Sequence, residues 1–326
     1  MLDVTRLRVL VAVARYGSVT AAAQALNYAQ PSISHHIARL EAETGARLLQ
    51  RAGRGVRLTD AGLLLAERAE EIIGRLDAAE IELAAHVGLR QGRVRLAAFP
   101  SALGTIVPAA AARLEAETPG MDLMLAEAEP SQALRMLRAG HVDVALVFRH
   151  YLQDEDEQPP EADDQGARGR LLLDEPVVLV TRAGPGAIKP EPPGPGGPAG
   201  APGAPRAPGA PGPPDLAAYA GHRWIAGCER CRSCLLRLCA QAGFVPKISF
   251  TTDDYVAVQA LVAAGLGVAT LPGLALQAAR HPGICTTPLP GARRHVFAMT
   301  YGEPPDPPAT VRLIEVLAST AAAAAR

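Results

Sequence analysis

The chain has almost no net charge. Its 326 residues carry 32 basic and 33 acidic side chains. That balance excludes a uniformly basic nucleic-acid coat, and equally a self-repelling acidic chain without a fold. Lysine is nearly missing: apart from Lys189 and Lys247 every basic residue is arginine, a bias of the kind GC-rich coding produces. Long apolar runs are missing as well. Met1–Ser18 alternates Asp3, Arg6, Arg8 and Arg15 with apolar residues, so no signal-peptide core reads there. The longest uncharged run, Tyr255–Ala279, is interrupted by Gln259, Gly265, Gly267 and Pro272. It suits a buried helix–turn–strand better than a membrane span. These absences predict a cytoplasmic protein with no membrane partner. Its five cysteines then read as reduced, metal-bound or redox-active rather than as structural disulfides. No nucleophile elbow, P-loop, dinucleotide fingerprint or zincin motif occurs. That weighs against an α/β enzyme with an accessory helical domain and predicts a non-enzyme.

What is present is unevenly distributed. Hydrophobic residues make up 48% of the chain, enough for real cores, and the length suits about two domains. Residues 184–214 hold 12 prolines and 9 glycines. That segment cannot pack a core and reads as a disordered, partly extended insert. Residues 1–58 carry eight arginines against Asp3, Glu41 and Glu43, a net of +5, whereas residues 60–90 net −4. Residues 153–164 contain seven acids and no base, a solvated crossover loop. A basic segment at one end of a neutral chain predicts an anionic partner at that end.

Leu7, Leu10, Val11 and Ala14 recur at helical spacing, so Leu2–Tyr16 reads as a helix closed by Gly17. Ser18 or Thr20 caps a short alanine-rich helix, Ala21–Leu26. After the turn Asn27-Tyr28-Ala29, a third helix carries Pro31 in its first turn and runs to Thr44, with Gly45 as its stop. Ile33, Ile37 and Leu40 line its inner face. Pro31, Ser32, His35, Ala38 and Arg39 lie opposite, flanked by Ser34 and His36. Arg51-Ala52-Gly53-Arg54-Gly55-Val56-Arg57-Leu58 then reads as a basic-tipped hairpin, a wing. Thr59 or Asp60 caps a long helix reaching about Val87. In it Leu65, Ala69, Ile72, Leu76, Ala79 and Leu83 form a heptad seam, which asks for a partner helix. Packing of that seam on its own domain is the competing reading.

From Gly92 onward strands alternate with helices. The strands are 94–98, 121–126, 142–148, 177–181 and 267–271. The helices are 105–117, 131–139, 234–242, 254–264 and 309–323. Two such blocks predict two α/β lobes with mostly parallel sheets and a ligand cleft between them. The organisation expected is therefore three-part. Residues 1–59 form a winged helix-turn-helix DNA-binding domain, all-α apart from its wing. Residues 60–90 form a linker and dimerisation helix. Residues 91–326 form an α/β two-lobed ligand-binding domain. Its first lobe takes about 91–166 and 290–326, and its second about 167–289.

A helix-turn-helix, a polar outward face and an arginine-bearing wing together supply what reading of double-stranded DNA requires. The helix shows donors and acceptors to base edges, and arginines neutralise phosphates. Candidate DNA-contacting residues are Thr20, Gln30, Pro31, Ser32, Ser34, His35, His36 and Arg39 on the helices, and Arg51, Arg54 and Arg57 on the wing. A helical protein-binding module with a solvated polar face is the alternative.

The run Ala22-Ala23-Gln24-Ala25-Leu26 through Gln30-Pro31-Ser32-Ile33-Ser34-His35-His36-Ile37-Ala38-Arg39-Leu40-Glu41 resembles the winged helix-turn-helix of LysR-type transcriptional regulators. The likeness continues through Gly45-Ala46-Arg47-Leu48-Leu49-Gln50-Arg51 and Leu58-Thr59-Asp60-Ala61-Gly62. In the second half it is carried by Pro100-Ser101, by Ala139–Ala145, and by Leu261–Pro272. The resemblance implies promoter binding as a dimer or tetramer, a small-molecule effector of unknown identity in the cleft of a periplasmic-binding-protein-like effector-binding domain over residues 91–326, and RNA polymerase as a further candidate partner. It implies no required cofactor. Ser101 and Ser131 match effector-contacting positions of the family, with capping of their own helices as the competing role. Gly227, Cys228, Thr251 and Thr252 are expected on the cleft's third side. Two departures stand out: Ala29 where a Ser or Thr is usual, and the pair His35-His36.

Cys228, Cys231, Cys234 and Cys239 fall within twelve residues. Three readings compete. The cluster is a thiol-redox sensor with a thiolate favoured by Arg230, Arg232 and Arg237. Or it is a zinc or copper(I) site, with His222 as a candidate further ligand. Or it is a set of small apolar residues packed at a helix start. Some LysR-type regulators sense peroxide through a cysteine pair in this part of the second lobe, and Cys239 lies close to one matching position. A thiol- or metal-responsive regulator is therefore the alternative function.

Overall fold

The structure, a computed structural model, describes residues 2–52, 55–86, 92–152, 166–184 and 215–324. Arg54, the acidic run 153–164 and the insert beyond Gly184 lie outside the described residues. Backbone contacts divide the chain into two units. One is Met1–Arg93 with Arg135–Asp143, and the other is Val94–Leu134 with Val144–Arg326.

The first unit begins with three helices, α1 (Val4–Tyr16), α2 (Val19–Ala25) and α3 (Gln30–Thr44). Each boundary has a local cause. Asp3 accepts from the Arg6 amide at the start of α1, and Gly17 ends it in the left-handed conformation at φ 69°. Ser18, not Thr20, caps α2 by accepting from the Ala21 amide at 3.0 Å. Helix α3 starts at Ala29 without a side-chain cap and stops at Gly45. Strands β1 (Leu49–Ala52) and β2 (Gly55–Leu58) form the wing, and α4 spans Asp60–His86. Thr59 caps α4, accepting from the Gly62 amide at 3.0 Å while donating to the Arg47 carbonyl at 2.7 Å. Gly62 is required there. A Cβ would stand 2.1 Å from the Leu48 carbonyl oxygen. The core joins Leu7, Leu10 and Val13 of α1, Ala22 and Ala23 of α2, Ile33, Ile37 and Leu40 of α3, and Ala66 and Ala69 of α4.

The second unit is built on one eight-stranded sheet. In chain order its strands are β3 (Arg93–Ala98), β4 (Asp122–Glu127), β5 (Val144–Tyr151), β6 (Ala167–Arg182), β7 (Arg223–Ala226), β8 (Lys247–Thr251), β9 (Val268–Pro272) and β10 (Ile284–Tyr301). Their spatial order is β4-β3-β5-β10-β6-β9-β7-β8. The interleaved helices are α5 (Pro100–Leu103), α6 (Ile106–Glu117), α7 (Pro130–Arg138), whose residues from Arg135 onward belong to the first unit, α8 (Glu229–Gln241), α9 (Tyr255–Ala263), α10 (Gly273–Ala278) and α11 (Pro308–Ala324).

The sheet corrects the expectation of mostly parallel strands. Pairings β3–β5, β7–β8 and β7–β9 are parallel, but β5–β10, β10–β6 and β6–β9 are antiparallel. The reason is two long strands, β6 and β10, that run through both lobes paired with each other. The register of β10 breaks between Pro288 and Arg293, where Gly291 takes φ 77°. A bulge of this kind bends a strand as it passes from one packing environment to the next. Strand β6 accordingly contributes to two cores. Leu172 and Leu173 join the core of Val94, Leu96, Phe148 and Leu317. Val177 and Leu179 join a second core around Trp224, Leu235 and Leu238. Ala292 of β10 packs in that second core as well.

Candidate functional site: an exposed helix face and a buried cleft

On α3 the inner positions Ile33, Ile37 and Leu40 are buried, so the helix must turn its other face outward. Gln30, Pro31, Ser32, Ser34, His35 and Arg39 are exposed there, and Thr20 is exposed on α2. His36 differs from the rest. It is half-buried and stacks on Tyr28, ring centroids 5.9 Å apart, so its ring is shared with the turn.

Glu41 fixes the wing to α3. Its Oε1 accepts from the amides of Leu48 at 2.8 Å and Leu49 at 3.2 Å. In the hairpin Arg51 pairs with Val56, and Gln50 with Arg57. Side chains of adjacent strand positions leave opposite faces. Arg51 and Arg57, both exposed, therefore project from opposite sides of the wing.

The heptad seam of α4 divides. Ala69 is buried in the unit's own core and Leu65 packs against it, which favours the own-domain reading over those two turns. Ile72, Leu76 and Leu83 are 40%, 42% and 64% exposed, and Ala79 is exposed too. The stripe open to a partner helix is thus Ile72–Leu83 rather than the whole seam. Leu63 and Leu64 are exposed apolar residues that the heptad reading missed.

In the second unit two cavities lie against the strand ends. One, of about 50 Å³, is lined by Ser101, Glu129, Gly227, Cys228, Cys231, Thr252, Arg294 and neighbouring apolar residues. The other, of about 470 Å³, is lined by Ser131, Arg149, His150, Glu229, Arg230, Ser233, Leu236 and Arg237. The expected effector residues are therefore split. Ser101, Gly227, Cys228 and Thr252 share the small cavity, and Ser131 belongs to the larger one. Thr251 is exposed at the end of β8 and lines neither of them.

Ser101 lies within α5 and does not cap it. Its hydroxyl accepts from Arg294 Nη2 at 3.0 Å. Arg294 also donates through Nε to Glu175 Oε1 at 2.6 Å, and Glu175 Oε2 accepts from the Leu274 amide at 2.6 Å. Both charged side chains are almost fully buried. The guanidinium lies 5.0 Å from the Phe99 ring centroid and 4.7 Å from that of Phe148, so two aromatic faces help to hold the cation. Burial, with the charges of Arg294, Arg237 and Arg230, pushes His150 down to about 3. Burial raises Glu129 above the ordinary carboxylate range. Arg294, Glu175, His150 and Glu129 carry no local sequence signal. They come from strands and a loop far apart in the chain.

The four clustered cysteines do not form one site. Cys234 and Cys239 are buried in the second core, and burial pushes Cys239 up to about 12. Cys228 and Cys231 face the small cavity with their sulfurs 3.2 Å apart, unbridged. Among the described residues no group of three or more His, Cys, Asp or Glu side chains is placed to hold a metal ion. No helix among them is long and apolar enough to cross a membrane.

The family model of the LysR substrate binding domain matches residues 88–322, and that of the lysR-family bacterial regulatory helix-turn-helix protein matches residues 4–63. The chain belongs to the LysR family of transcriptional regulators. This LysR-family chain is 36% identical over 152 residues to the probable cat1 operon transcriptional activator of Acinetobacter lwoffii, a match spanning 46% of the chain and 50% of that protein. In its leading matches the chain spans about half the length of its curated relatives. A longer match, 30% identical, covers 87% of the chain and 83% of the HTH-type transcriptional regulator YcgK of Bacillus subtilis (strain 168). The crystal structure of CbnR, a LysR family transcriptional regulator, shares the fold with a TM-score of 0.63 at 20% identity. It covers 98% of this chain and 99% of that one.

Proposed function

We propose that this LysR-family chain binds double-stranded promoter DNA as a homo-oligomer and changes promoter contacts when a small molecule occupies the cleft of its second unit. The exposed polar row Gln30–Arg39 on α3, set beside exposed Arg51 and Arg57, is the observation that carries the reading. The row supplies hydroxyl, amide, imidazole and guanidinium groups to base edges, and the wing arginines supply phosphate contacts on two sides. The apolar stripe from Ile72 to Leu83 supplies the protomer contact.

The larger cavity has the size of small-ligand sites. Its hydroxyl, guanidinium and carboxylate lining suits a polar effector. An effector works by binding two packing states of the oligomer unequally. On this reading the protein is not an enzyme, needs no metal or cofactor to bind DNA, and acts in the cytoplasm, with RNA polymerase as its downstream partner. The test is footprinting of the chain on the DNA upstream of its own and neighbouring genes. Protection of a partly palindromic site supports the reading, and equal binding to all fragments at all salt concentrations overturns it.

A further inference from the structure

We infer that the larger cavity of the second unit is built for a small dianion, whose carboxylate or phosphate oxygens are read by Arg149, Arg230 and Arg237. This rests on the proposal that a small molecule occupies the cleft, and it assigns the chemical class which that proposal left open.

The charge of the lining carries it. Around the cavity of about 470 Å³ stand three arginines, Arg149, Arg230 and Arg237, against one carboxylate, Glu229. The other polar groups are the hydroxyls of Ser131 and Ser233 and the ring of His150. Three cations and one anion give the lining a formal charge of +2 while His150 is neutral. The fold keeps it neutral. Burial first, and then the charges of Arg294, Arg237 and Arg230, push His150 down to about 3. Those three contributions mark a positive field at the cavity wall. Glu229 is exposed, so water screens its charge more than those of the half-buried arginines. A dianion cancels the charge of the lining, whereas a cation adds to it.

The arginines are set in place by the fold. Arg230, Ser233 and Arg237 recur at i, i+3 and i+7 along α8, one face over two turns. Arg230 Nη1 donates to the Phe148 carbonyl at 3.5 Å, and Arg237 Nη2 donates to the His150 carbonyl at 3.4 Å. Both carbonyls belong to β5, so this face of α8 is laid along that strand. Arg149, from the same strand, has its guanidinium carbon 5.6 Å from the Phe297 ring centroid. A partly shielded guanidinium holds an oxyanion more strongly than one at the surface. Its planar fork also presents two parallel N–H groups to carboxylate or phosphate. Ser131 stands in the first turn of α7, where backbone amides lack intrahelical acceptors and the helix end favours negative charge.

The experiment uses the full chain without DNA. Inorganic phosphate, succinate and the uncharged succinamide are titrated by calorimetry at constant ionic strength, and footprinting is then repeated with each dianion present. The expected result is one saturable site per chain for phosphate or succinate, with succinamide at least tenfold weaker. The tighter of the two dianions names the source of the charge, phosphate or paired carboxylates. Arg237→Gln should weaken the site at least tenfold. Ser233→Glu, an exposed substitution that sets a carboxylate against the cavity, should abolish it without disturbing the core. Arg51→Ala, on the wing, should leave it intact. Unchanged binding in both Arg237→Gln and Ser233→Glu would mark an adventitious ion only and overturn the inference. So would equal affinity for succinamide, or no saturable site for either dianion. A dianion that binds the cavity and leaves the footprint unchanged upholds the inference and contradicts the effector reading, so the two failures are distinct.

Discussion

The face of α3 and the cleft of the second unit use similar side chains in opposite ways. On α3 Ser32, Ser34, His35 and Arg39 stand exposed to solvent. In the cleft a serine, a histidine and an arginine are buried, and Arg294 is bonded to Glu175 and Ser101 before any ligand arrives. A polar group in water costs nothing until a partner takes it, whereas a buried one must be satisfied within the fold. The first surface is therefore free for recognition, and substitutions there should spare stability. The second is structural as well as functional, and substitutions there should not.

The largest test of that contrast is Arg294→Met. It strands the buried Glu175 carboxylate, and breaking a buried pair of this kind costs about 3–5 kcal/mol. Thermal or urea unfolding reads the loss, and the double variant Arg294→Met with Glu175→Leu should recover most of it. A single variant as stable as wild type would remove the cleft's structural half of the comparison.

His150 gives the next. Its folded-state pKa lies at about 3, below the ordinary 6.5, because burial and neighbouring arginines disfavour the cation. The unfolded chain takes up a proton below pH 6.5 that the folded chain refuses. The contribution is complete above pH 6.5 and falls away as the pH drops toward 3. His150→Phe should flatten the stability curve over that window. Superimposable curves would show that His150 is not held neutral.

On the exposed side, Ser34→Ala and His35→Ala should leave the melting temperature unchanged. Each should weaken specific DNA binding by about 1–3 kcal/mol where its side chain hydrogen-bonds a base edge. Within α4, Leu76→Asp should shift the oligomer toward monomer in sedimentation without unfolding it. Leu65→Ala should lower stability, because Leu65 packs against its own unit's core. Smallest are Arg51→Ala and Arg57→Ala. Each should reduce the slope of log affinity against log salt by about 0.9 if its guanidinium sits on a phosphate. Because the two leave opposite faces of the wing, their effects should add.

The same contrast explains what could be read from the chain before its fold was known. The α3 face was legible because Ile33, Ile37 and Leu40 mark one side of a helix, and the residues opposite follow from 100° per residue. Strands β3, β5 and β9 were legible as apolar runs. Strand β10 was not, since Pro288, Pro290 and Gly291 interrupt its alternation. With it went Arg294, and with Arg294 the whole buried cluster, which joins β6, β10 and α5 across more than a hundred residues. The heptad of α4 was visible, but spacing cannot tell a seam that packs on its own domain from one awaiting a partner. Leu65 and Ala69 did the first, and Ile72 to Leu83 remain open. The cysteine cluster looked like one unit because spacing along a helix is not proximity. Helix α8 turns Cys234 and Cys239 into the core and leaves Cys228 and Cys231 at its N-terminal end.

The most direct measurement of the central claim is footprinting on the chain's own upstream region with wild type and with the triple variant Ser32→Ala, Ser34→Ala, His35→Ala, at matched folded concentration. The account predicts a protected, partly palindromic site for wild type and its disappearance in the variant, with unchanged unfolding curves. An identical footprint from both proteins would contradict it.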